Sequence, residues 1–236
     1  MGIDALFSPL DLVAIAWFLT ATIGYSWYTE HSPASRRSLS AMMDRQREKW
    51  LRVLVHRELR IVDTSIVSSL QNGTAFFAST SLLAIGGCFA LLQSTEEIFE
   101  VLKDLPLVAG SNPVQWDIKI FGLLLLFTYA FFKFGWSFRL WSYASIMIGA
   151  IPMPGRADAD ETEEALQAAL LMNQSAARQF NRGLRSFFFS LGFIGWFVGP
   201  LVFIGAMTWI VLVLYRRQFS SQSLAAASRN VHDKKP

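Results

Sequence analysis

Residues 187–215 read FFFSLGFIGWFVGPLVFIGAMTWIVLVLY, 29 residues without a charge. A run of this length and polarity belongs in lipid, because about 20 residues at 1.5 Å each cross a 30 Å hydrocarbon core. Gly199-Pro200, near its middle, raises a second option, a hairpin of two helices. Divided there, the run leaves halves of about 14 and 16 residues, each short of a crossing. The stretch therefore predicts one tilted or kinked helix, since proline is tolerated where neighbours satisfy the carbonyl it frees.

Three further apolar runs precede it, at about 9–28, 73–92 and 116–138, with polar connections between them. The composition agrees: 53% of the 236 residues are hydrophobic and 17% charged, against roughly 25% charged in soluble domains. Together these predict an all-α, polytopic membrane protein with four transmembrane helices in a single domain, residues 1–220, and a polar tail, 221–236. MGIDALFSPLDLV carries no Lys or Arg, so the first run is expected to stay as an anchor. Leu6 breaks the myristoylation pattern.

Lys and Arg counts set the expected orientation. Arg36, Arg37, Arg45, Arg47, Lys49, Arg52, Arg57 and Arg60 separate the first two spans, and Arg139, Arg156, Arg178, Arg182 and Arg185 follow the third. The connection between spans two and three has only Lys103, beside Glu96, Glu97, Glu100 and Asp104. Both basic connections are therefore expected in the cytoplasm and both termini outside. Arg216, Arg217, Arg229, Lys234 and Lys235 oppose that placement, leaving thirteen bases inside against seven outside once Lys119 is counted. The interleaving of bases with acids speaks against nucleic acid and for anionic headgroups on the cytoplasmic side.

The basic connections themselves read as two cytoplasmic amphipathic helices. In 33–71, Leu39, Met43, Trp50, Leu54 and Ile61 oppose Arg45, Lys49, Arg52, His56 and Arg60, and the helix is expected to run on into span two. In 158–186, acids open the helix and arginines close it, with Leu166, Leu170, Asn173, Ala177, Phe180 and Leu184 on one stripe. The two stripes are expected to pack together.

Polar residues inside the spans are the candidate functional positions. Ser79, Thr80 and Ser81 form a hydroxyl patch in span two, to be read as backbone-bonded hydroxyls or as part of a pathway. Gly192, Gly195 and Gly199 offer a packing face within one subunit or between two. Lys119 and Arg139 lie 20 residues apart, about 30 Å along a helix, and mark the edges of span three. Lys133 lies within snorkelling reach of the inner edge. Three readings stay open: interfacial anchoring, an ion pair with Asp63, or a lipid-phosphate or anion site built from Lys133, Arg139 and Arg182.

His31, His56 and His232 have no metal-ligand spacing, Cys88 stands alone, and no Walker, GxGxxG or GxSxG motif occurs. No catalytic residue, metal or cofactor is expected. RELRIVDTSI (57–66), FFASTSLL (76–83), FKFGWSFRLWSYASIMIGAIP (132–152), FNRGLRSFFFSLGFIGWFVGP (180–200) and LVLYRRQF (212–219) together resemble the integral-membrane family catalogued as domain of unknown function 599. That resemblance implies a four-span protein of the bacterial inner membrane and brings no substrate. The expected function is a non-catalytic scaffold or accessory subunit, homo-oligomeric or part of a membrane complex. A homo-oligomeric channel for ions or small solutes is the alternative.

Overall fold

Ser8 starts the first helix: its hydroxyl accepts the Asp11 N–H at 3.2 Å while its own N–H donates to the Asp11 carboxylate. This reciprocal cap satisfies two of the donors a helix start leaves free, and Pro9 occupies the first helical position, where no N–H is needed. The computed structural model describes residues 7–102 and 113–232. Its elements are α1 (Pro9–His31), a 3-10 turn (Pro33–Arg37), α2 (Leu39–Leu54), α3 (Ile61–Gln93), α4 (Thr95–Leu102), α5 (Pro113–Ala150), α6 (Ala159–Phe193), α7 (Gly195–Val198), α8 (Pro200–Phe219) and α9 (Gln222–His232). No strand occurs among the described residues. Leu6, Lys103, Asp104, Lys234 and Lys235 lie outside them.

Four stretches are long and apolar enough to cross a bilayer: Pro9–His31, Ile61–Gln93, Pro113–Ala150 and Pro200–Ser228. The sequence predicts four such stretches, and the apolar end of α6 adds a further leg to them. The 38 residues of α5 reach about 57 Å and the 33 of α3 about 50 Å, so both extend well beyond a 30 Å core. Helix α5 is the central member, packed along α3 on one side and α6 on the other. Small residues let α5 and α6 approach closely. The Phe193 ring covers Gly122 and the Phe134 ring covers Gly183, where a Cβ would stand 2.7 and 2.9 Å from the ring carbons. Ser186 donates across the seam between these points to the Leu126 carbonyl at 3.0 Å, and Ser137 donates just beyond them to the Ala176 carbonyl at 2.8 Å.

Residues 187–215 do not form one helix. The first seven continue α6, one turn forms α7, and extended backbone at Gly199 (φ 162°, ψ 163°) ends it before α8 begins. Helix α8 folds back on the end of α6: a Cβ on Gly192 would lie 2.6 Å from Met207 Sδ, and one on Gly195 3.2 Å from both Ala206 Cβ and the Val202 carbonyl oxygen. The Trp196 and Phe203 rings stack at 5.4 Å, with Phe18 and Phe193 on the same cluster. The length argument for a single helix counted apolar residues only. Helix α6 supplies the missing length from the polar residues before Phe187.

This hairpin brings the described ends of the chain to opposite ends of the bundle. Asp11 in the first turn of α1 meets Trp196, whereas Phe219 at the end of α8 packs on Tyr28, near the end of α1. The expectation of both termini on one side followed from reading 187–215 as a single crossing, and the fold-back removes that basis.

The two basic connections also differ in form from their reading. Segment 33–71 is interrupted at 55–60 and does not run into α3. There Arg60 turns to the end of α5, donating to the carbonyls of Ile148, Ile151 and Pro152 at 3.3, 2.6 and 2.8 Å. These are acceptors that a helix C-terminus leaves open. Segment 158–186, by contrast, is continuous with the apolar leg in α6. The two segments do pack together: Leu51 and Leu54 of α2 share a buried cluster with Leu166, Ala169 and Leu170 of α6, and Arg52 makes a paired contact with Glu163 at 3.1 and 3.2 Å.

Candidate functional site

Glu30 lies in the last turn of α1, and α6 presents Arg182 and Arg185 to it. Three residues apart, the two arginines share a helix face, and side chains on α6 lean toward its N-terminus, the end at which α1 finishes. Arg182 grips the carboxylate in a fork, Nε to Oε1 at 3.0 Å and Nη2 to Oε2 at 2.7 Å. Arg185 Nη2 also donates to Oε1. One acid therefore faces two guanidinium groups, and Arg185 Nε is buried without a hydrogen-bond partner.

Two cavities meet at this cluster. A groove of about 570 Å³ runs between α1 and α5 over a floor of α6, lined by apolar and aromatic side chains such as Phe18, Ile23, Leu126 and Phe189. A polar chamber of about 390 Å³ lies on the α2 side, with Arg36, Arg178, Arg182 and Arg185 against Glu30 and Asp44. Glu30, His31, Arg182 and Arg185 border both. Around the chamber, Ser40 of α2 accepts from Asn181 of α6 at 3.3 Å and from Gln218 of α8 at 2.8 Å. Burial pushes the Asp44 carboxyl up even though the Arg47 guanidinium stands 2.9 Å away.

The opposite end of the bundle holds a second polar cluster. Trp196 Nε1 donates to Asp11 at 2.7 Å, and Lys119 Nζ donates to the Trp196 carbonyl at 3.0 Å. That carbonyl ends a helix whose continuation Pro200 prevents. A lysine there satisfies an open acceptor and complements the helix dipole. Lys119 is only 4% exposed, so its side chain turns into the bundle at this end.

The positions singled out from sequence separate. Arg182 is in the cluster; Lys133 is half-buried with its Nζ 5.2 Å from the Tyr129 ring, and Arg139 is exposed, its Nε donating to the Tyr143 hydroxyl at 2.6 Å. Asp63 is an ion-pair partner, although of Arg57 at 2.8 Å and not of Lys133 or Arg139, and it also accepts from Trp50 at 2.7 Å. Thr80 and Ser81 return their hydroxyls to the carbonyls of Phe76 and Phe77, and Ser79 is exposed. Gly192 and Gly195 pack within one subunit, whereas a Cβ on Gly199 would meet nothing within 4 Å.

Glu30, Arg185, Asp11 and Trp196 were not singled out. The signal for Glu30 was an acid at the junction between an apolar run and an arginine-rich connection. The signal for Asp11 was an acid at the start of the first apolar run, behind a serine and a proline that open a helix.

Long apolar helices that fill one another's grooves with aromatic rings, with charges held at the two ends, define a multi-pass α-helical membrane protein. The family described as protein of unknown function, DUF599, matches residues 13–223, and the chain belongs to it. No curated protein and no solved structure matches the chain.

Proposed function

We propose that this protein is a non-catalytic scaffold or accessory subunit of the bacterial inner membrane, working as a homo-oligomer or within a membrane complex. The observation that carries the reading is the filled interior of the bundle. Phe18, Phe193, Trp196 and Phe203 pack at centroid distances of 5.2–5.5 Å where α1, α6 and α8 meet, and the buried charges Lys119 and Asp63 are engaged in structural bonds. Helices α5 and α6 continue from this packed region into the layer with α2, joining the spans to the basic surface as one body.

The orientation we propose follows from the fold-back. With α6 and α8 as separate legs, the C-terminus lies on the cytoplasmic side and the N-terminus outside. The five bases after residue 215 then join the thirteen of the connections, leaving Lys103 and Lys119 outside, eighteen against two. A second copy would meet the outer face of α3, where a Cβ on Gly86 or Gly87 would touch nothing. No nucleic-acid partner is proposed.

The experiment is a paired one on the purified full chain. Light scattering after mild extraction is expected to give a mass above one subunit, or a stable foreign partner that co-purifies. Liposomes holding the protein are expected to pass ions and small solutes no faster than empty ones. A steady flux that falls on substituting Ser79 or Lys133 would replace the scaffold reading with the channel.

A further inference from the structure

We infer that the groove between α1 and α5, together with the arginine chamber below it, binds one anionic phospholipid, its phosphate among Arg36, Arg178, Arg182 and Arg185 and one acyl chain in the groove. The two cavities adjoin, sharing Glu30, His31, Arg182 and Arg185 as lining. From Phe18 to Glu30 the groove follows 12 residues of α1, about 18 Å, close to half of a 30 Å hydrocarbon core. Its length suits a lipid of a single leaflet. A volume of about 570 Å³ is ordinary for a site that encloses a small molecule.

The charge balance fits the same occupant. Four arginines face two carboxylates in the chamber, a surplus of two positive charges beside an apolar slot. Glu30 occupies Nε and Nη2 of Arg182 and Nη2 of Arg185. Nη1 of each arginine takes no part in that contact, and Arg185 Nε is buried without an acceptor. Guanidinium donors held in place by a carboxylate are well suited to a phosphodiester. The chemistry of the site does not depend on the scaffold reading, and binding is measured separately from assembly and flux.

The test uses the full chain in dodecylmaltoside, titrated with phosphatidylglycerol and followed by native mass spectrometry and thermal stability. One bound phosphatidylglycerol per chain and a raised melting temperature are expected. Inorganic phosphate at the same concentration should neither stabilise the protein nor displace the lipid. Arg36 and Arg178 are exposed and outside the Glu30 contact, so Arg36→Gln with Arg178→Gln leaves that pair intact. This double variant should weaken binding roughly thirtyfold, about fivefold for each base lost beside an anionic headgroup. Ser26→Phe fills the groove from a half-buried position and should abolish one-to-one binding while the protein keeps its unliganded melting temperature. Stabilisation by inorganic phosphate equal to that by the lipid would overturn the proposal in favour of a free-anion site. Lipid retention unchanged in both variants, or no retained lipid at all, would overturn it as well.

Discussion

Replacing Gly195 by valine places a side chain in the tightest part of the α6–α8 hairpin. The new Cβ would stand 3.2 Å from Ala206 Cβ, 3.2 Å from the Val202 carbonyl oxygen and 3.3 Å from Phe203 Cα. Two of these three neighbours are backbone atoms, so they cannot rotate away, and two further methyl groups require α8 to move. Overpacking of this kind costs about 1–3 kcal/mol. The better helix propensity of valine offsets only about 0.3 kcal/mol of that. The same change at Gly199 is expected to cost at most about 0.5 kcal/mol, because a Cβ there meets nothing within 4 Å and the backbone is extended. Equilibrium unfolding of the purified protein in mixed dodecylmaltoside and SDS micelles measures both, with light scattering for the oligomeric mass. Stability should fall at Gly195, stay at Gly199, and leave the mass unchanged in each. Equal losses at the two glycines, or a changed mass with unchanged stability, would mean that GxxxG joins two subunits and that the hairpin packing is misread.

Three further outcomes follow from named contacts. Asp63→Asn should cost about 1–3 kcal/mol through its bonds from Arg57 and Trp50. Because Arg57 is 39% exposed, its coupling to Asp63 in a double-mutant cycle is held to about 0.5–1 kcal/mol, whereas a cycle with Arg139→Gln should be additive. Arg60→Ala strips the end of α5 of its donors and should cost about 1.5–3 kcal/mol, with faster amide exchange near 148–152 as the readout. Hydrogen bonds from Gln167 and Arg52 hold the Glu163 carboxyl below the usual glutamate range. A carboxyl lowered on folding contributes stability above its unfolded value and loses it as pH falls through the folded value. Spin labels on α2 and α6 should therefore show the Arg52–Glu163 link intact through mild acid and loosened below it, and absent at every pH in Arg52→Gln.

The spans were legible because hydropathy over about 20 residues reports directly on the solvent a helix can tolerate. Residues 9–28, 73–92 and 116–138 fall within α1, α3 and α5. The fourth run was misread because the same measure is blind to where a helix begins outside the apolar stretch. Twelve apolar residues, 187–198, are too few to cross alone, yet the first seven extend α6, whose preceding arginines are neutralised in part by Glu30, 152 positions away in sequence from Arg182. No local pattern records that partner. The bases after residue 215 were the available clue, since they opposed the assigned side. Asp63 was recognisable as a buried acid by its place before an apolar run, but its partner depended on the helix break at 55–60, which brings Arg57 back to it. The glycines that seat α5 against α6, Gly122 and Gly183, carry no paired spacing and become visible only with the rings of Phe193 and Phe134 above them.

The side of the membrane that holds the C-terminus tests the fold-back most directly. Single cysteines at Glu58, Glu97 and Gln222, in a Cys88→Ser background that removes the one buried native thiol, can be labelled with a membrane-impermeant maleimide before and after cells are opened. Glu58 lies in the α2–α3 connection, Glu97 in α4 at the other end of α3, and Gln222 just beyond α8. The expected result is labelling of the position-97 cysteine in intact cells, with positions 58 and 222 reacting only after the cells are opened. Labelling of position 222 together with position 97 would contradict the hairpin and restore a single crossing from Phe187 to Tyr215.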